Sequence, residues 1–179
     1  MYQSAMLASV ESGQDWGKID SLYGFDPLPA VFEEQEKARI IHCDKVVSVV
    51  VATEDMITNR TEELKAFLRG FVLSWLNYAN NPERMNAIFS EESRLGVSQE
   101  VLNNAASIEP NRWATELSKM SFEFSQEDYD VLQQTNDFLL DREVINSPVD
   151  INSAINLDLM RDILQQENLQ TVFENVSEN

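Results

Sequence analysis

The stretch IDSLYGFDPLP, residues 19–29, sets Tyr23, Phe25 and Asp26 close together around Gly24 and ahead of Pro27 and Pro29. An aromatic ring offers a flat apolar wall, and a carboxylate accepts hydrogen bonds from amine or ring N–H groups, so such a loop can hold a ligand. The same residues also have a structural use. Phe25 can pack in a core, and Asp26 can cap the helix that follows. The sequence alone leaves both open. His42 and Cys43 are the single histidine and the single cysteine of the chain. Side by side in a β-rich run they point to opposite faces, which argues against a catalytic Cys–His pair. They are too few for a zinc site of Cys and His alone, and one cysteine forms no internal disulfide. Acidic pairs such as Glu33/Glu34 and Glu91/Glu92 are expected by chance among 31 acids. Five scattered glycines make no phosphate loop, and neither a serine nucleophile elbow nor a His–Glu metal helix is present. The residues therefore predict a non-enzyme with no catalytic group, metal or cofactor.

The elements that must position these residues divide into two stretches. Residues 2–12 read as a short helix ended by Gly13, followed by a short strand at Ile19–Tyr23 and a loop over Gly24–Pro29. AVFEEQEKA reads as a helix, and RIIHC and VVSVVVAT as two strands, the second apolar enough to be buried on both faces. Everything after Thr53 reads as helical. Leu64, Phe67, Leu68, Phe71, Val72, Trp75, Leu76 and Ala79 recur at steps of three and four, which predicts one long amphipathic helix with all of them on its apolar face. Asn59 with Glu62 has the spacing of a capping box, Asn81-Pro82 opens a further helix, Ser98 caps another, and Ser125 with Asp128 marks a third. INSPVDIN is a proline-marked connector before a last helix over about Leu157 to Gln166, and the tail beyond it is expected to fray.

The bulk numbers set limits. A chain of 179 residues suits one domain or two small lobes, and a hydrophobic share of 43% supports a core. A net charge of −18 argues against nucleic acid, which needs clustered Lys and Arg, and against an anionic membrane surface. No stretch is apolar for long enough to span a bilayer, which predicts no membrane insertion. The N-terminal residues lack the basic and apolar regions of a signal peptide.

The order of the pieces carries a resemblance. MLASVESGQ, then IDSLYGFDPLPAVFEEQEKARII, then the run from VVSVVVATEDMITNRTEELKAF to GVSQEVL, and finally DFLLDREVINSPVDINSAINLDLM are similar to successive segments of periplasmic substrate-binding proteins. The family is the aliphatic sulfonate, nitrate and taurine type of ABC importers, relatives that bind the thiamine pyrimidine precursor included. The likeness covers about residues 3–165, and each piece is short and degenerate. Leu22 stands where an aromatic is common in the family. The resemblance implies a helix-rich α/β fold: the C-terminal portion of a type-II periplasmic-binding-protein fold, with few strands followed by a helical run. On that basis residues 1–24 are expected to be a remnant of the second lobe and the crossover strand, 25–167 the C-terminal part of the first lobe, and 168–179 a flexible tail. It further implies a solute-binding module for a small organic or sulfonate-like molecule, with Tyr23, Phe25 and Asp26 facing the ligand. Asp26 disfavours an anion set directly against it. The implied partners are a small-molecule ligand and an ABC permease or sensor. The resemblance implies a periplasmic location, and the lack of a signal peptide keeps the cytoplasm as the alternative. The alternative is a non-enzymatic interaction protein on half of the fold, which covers its exposed surface as a homodimer. A thiamine pyrimidine synthase resembles the same family, but its cysteine-rich motif and reactive histidine have no counterpart here.

Overall fold

The computed structural model describes residues 20–44, 46–93 and 97–165. Among them the regular structure is helical throughout. The helices are α1 (Leu28–Glu34), α2 (Glu54–Asn59), α3 (Thr61–Asn80), α4 (Pro82–Ser93), α5 (Gln99–Ala106), α6 (Gln126–Asp141), α7 (Ile151–Ala154) and α8 (Asp158–Leu164), with 3-10 turns at Pro110–Trp113 and Leu117–Lys119. The N-terminal helix expected at 2–12 and the tail lie outside the described residues.

The α/β expectation is overturned. No β-strand occurs among the described residues, so neither the few strands nor the type-II half-fold built on them is present there. RIIHC and VVSVVVAT form no regular structure and join no sheet. Val46, Val49, Val50 and Val51 are exposed, not buried on both faces. The physical reason is that a strand is stabilised by a neighbour's ladder and by cover on its faces. Two or three short segments without further strands do not supply that.

The chain forms two compact units. The first combines the described part of Met1–Cys43 with Tyr78–Trp113. Its core is Leu28, Val31 and Phe32 of α1 against Val97 and against Val101 and Leu102 of α5. The spacing of the α1 residues puts them on one helical face. Ser98 joins the two helices. Its Oγ accepts the Val101 N–H at 3.2 Å as the N-cap of α5 and donates to Glu34 at 2.6 Å. The Cys43 thiol is exposed.

The second unit combines Asp44–Asn77 with the described part of Ala114–Asn179. Its core gathers Leu64, Leu68, Val72 and Leu76 of α3 with Ala114, Met120 and Ile163 of α8. The stripe on α3 steps by four residues and is narrower than the periodicity predicts. Phe67 stands outside it, 53% exposed, and stacks on Phe71 with ring centroids 6.4 Å apart. Phe71 in turn meets Phe122 at 5.6 Å. Gly70 is an exposed interior residue of α3, and a Cβ there meets nothing within 4 Å. Gly70→Ala is therefore expected to stabilise the protein by about 0.5–1 kcal/mol, because alanine loses less backbone entropy in a helix. The midpoint of urea unfolding should rise, and a fall would show that the site is crowded.

Capping follows the sequence in most places. Pro82 is the first residue of α4, and Ser125 and Asp128 form a full capping box on α6. Asn59 does not cap α3. It closes α2, where its Nδ2 donates to Asp55 at 2.9 Å. The connector after α6 is tied back by Asn136, which is 4% exposed and accepts the Val149 N–H at 2.9 Å. Asp150 then caps α7, accepting from the Asn152 and Ser153 N–H groups. Arg161 of α8 holds Glu123 through two hydrogen bonds of 2.7 Å. That pair keeps the Glu123 carboxyl below the usual carboxylate range, but both side chains are half exposed, so its contribution to stability is modest.

Candidate functional site

The first unit carries a groove of about 330 Å³. The loop before α1 contributes Asp26 and Pro27, and the last turn of α3 contributes Tyr78. Helix α4 presents Met85, Asn86 and Phe89, and α5 presents Leu102, Ala105 and Ala106, each set at helical spacing on one face. Alanines on α5 leave the space that larger side chains would fill.

The polar part of the lining is held by a short network. The Tyr78 hydroxyl donates to Asn86 Oδ1 at 2.9 Å, and Asn86 Nδ2 donates to Asn103 Oδ1 at 2.9 Å. Asn86 is 3% exposed, so its amide is fixed in place before any ligand arrives. An amide oxygen has two acceptor positions, and the tyrosine occupies one. The Arg112 guanidinium sits over the Tyr78 ring at 5.5 Å and over Trp113 at 4.8 Å, a stacking that steadies the tyrosine.

Asp26 is the one predicted ligand residue that lines the groove. Its peptide bond to Pro27 is cis, and the N-cap of α1 is Pro27 without a side-chain cap bond. Asp26 therefore does not serve as the helix cap that the sequence also permits. Partial desolvation raises its carboxyl above the usual range. Tyr23 and Phe25 meet each other edge to face at 5.6 Å. They are 69% and 54% exposed and do not belong to the groove wall. Phe25 is thus not a core residue either.

The sequence reading passes over Tyr78 and Asn86. The available signal was Asn86 itself, an amide set between Met85 and Phe89 on the apolar side of α4. Among the described residues no group of three or more His, Cys, Asp or Glu could hold a metal ion, and no helix is long and apolar enough to cross a membrane.

No family model, curated protein or solved structure matches the chain.

Proposed function

We propose that the protein is a non-enzymatic solute-binding module whose ligand site is the groove of the first unit. The observation that carries this reading is the combination in one concavity of an apolar wall, a fixed buried amide and a single carboxylate. Ligand sites have this composition: mostly apolar lining, with a few placed polar groups that set orientation. A volume of about 330 Å³ lies at the small end of such sites and suits a small organic molecule. The resemblance of the segment order to importer-type binding proteins points the same way, with an ABC permease or sensor as the downstream partner and either an exported or a cytoplasmic setting. It does so through sequence order alone, without the sheet.

Native mass spectrometry of the purified chain tests this. The expected result is a monomer carrying a small co-purified mass that disappears in Ala106→Trp, where an indole fills the groove. A second reading is an interaction protein that dimerises, and the exposure of Ile41, Val46, Val49, Val50 and Val51 favours it. A ligand-free dimer in the same spectrum would overturn the solute-binding reading in favour of this one.

A further inference from the structure

We propose that the groove selects a small organic cation, with an ammonium or amidinium head at Asp26 and an apolar body against Met85, Phe89 and Leu102. This rests on the solute-binding reading and adds the chemical class of the ligand.

Charge complementarity carries the choice. Among the described residues that line the groove, Asp26 is the only acid and none is a lysine, arginine or histidine; the Arg112 guanidinium lies behind that lining, stacked on the Tyr78 and Trp113 rings. An anionic ligand would enter an apolar wall without a counter-charge in the lining and would face a carboxylate. Removing a charge from water is costly unless it is paired and hydrogen-bonded. A cation meets that requirement at Asp26 and gives the partly desolvated carboxylate its partner as well.

The hydrogen-bonding sense agrees. The Asp26 carboxylate is an acceptor only. The groove therefore calls for a ligand that donates, as an ammonium or amidinium does with several N–H groups. The rest of the wall suits the body of such a ligand. Phe89 offers an aromatic surface and Met85 a polarizable thioether, both tolerant of a flat or branched apolar group. The long-range field acts in the same direction, since a chain of net charge −18 draws cations and repels anions.

Three probes with one apolar body separate the possibilities: 2-phenylethylammonium, 2-phenylethanol and 2-phenylethanesulfonate. Each is titrated into the full chain while the Met85 methyl and Phe89 ring signals are followed by NMR. The ammonium should shift both signals and bind roughly tenfold or more tightly than the alcohol, as expected for a charge-assisted hydrogen bond. The sulfonate should bind least. In Asp26→Asn the ammonium should lose most of its advantage over the alcohol, because the charge-assisted part of its bond goes with the carboxylate. Asp26 caps no helix, so this variant should retain the wild-type spectrum away from the groove. Equal binding of ammonium and alcohol, or tighter binding of the sulfonate, would overturn the cation assignment and leave the groove as a solute site. If no probe shifts either signal, the cation assignment falls. A native spectrum without a bound mass would then remove the solute-binding reading with it.

Discussion

Phe32→Ala is expected to cost about 3–5 kcal/mol, the range for deleting a buried aromatic ring whose cavity the surroundings cannot fill. Phe32 is 1% exposed at the centre of the first unit's core. Its partners, Val31, Val101 and Leu102 among them, come from short helices with little other apolar surface to bury. Whole domains are stable by only about 5–15 kcal/mol, so the loss is a large share of what holds α1 on α5. Denaturant unfolding measures the loss, and hydrogen exchange locates it in the amides of α1 and α5. Leu102 belongs both to this core and to the groove wall, so the binding proposed for the groove should weaken together with stability. Glu33→Ala, one residue away on the exposed face, should stay within about 0.5 kcal/mol of wild type. Similar effects at the two positions would mean that α1 is rotated from the face described.

The second large effect is expected on α3. Leu76 is fully buried against the second core, and Leu76→Ala should cost about 2–5 kcal/mol. Phe67 lies on the same helix and has the larger side chain, but it is 53% exposed. Phe67→Ala should therefore cost no more than about 1 kcal/mol, the size of its stacking on Phe71. The order of the two effects is the test, because it runs against side-chain size. A Phe67 variant that loses more stability than Leu76→Ala would place the buried stripe elsewhere on the helix. The comparison needs only equilibrium unfolding curves of two variants.

The starts of helices were the most legible part of the chain. Pro82, Ser98 and the Ser125–Asp128 pair act through groups within one turn of their own position, so local sequence is enough. Two helix ends were hidden for an equally local reason. After α1 and after α6, Glu36 and Glu143 take the left-handed conformation with φ of 55°, a role usually given to glycine. In each case the chain closes as a Schellman turn. Lys37 N–H bonds to the Phe32 carbonyl at 2.9 Å, and Val144 N–H to that of Leu139 at 2.9 Å. A glutamate carries no sign of that conformation, which is unfavourable for a residue with a Cβ.

The strands were misread because a β-branched run reports only that a segment could pair. Whether it does depends on a ladder supplied from elsewhere in sequence, and none forms in the described residues. Phe67 was misplaced because a repeat of three and four defines a broad face, whereas burial follows only the part of that face that meets a neighbour. In the groove, Asp26 stood out through its aromatic and proline neighbours. Tyr78 and Asn86 did not, since their roles arise only when the end of α3 and the face of α4 come within hydrogen-bonding distance.

The run from Val46 to Ala52 contains neither a charge nor a proline, is mostly valine, and leaves Val46, Val49, Val50 and Val51 in water. Windows of this composition are the ones that stack between chains into cross-β assemblies. What opposes this is the net charge of −18, which makes copies repel one another before such segments can meet. That repulsion reaches about 10 Å at 0.1 M salt and about 3 Å at 1 M. Colloidal stability is therefore a property of the solution as much as of the fold: dilute buffer keeps the valine runs apart, and concentrated salt removes the barrier between them.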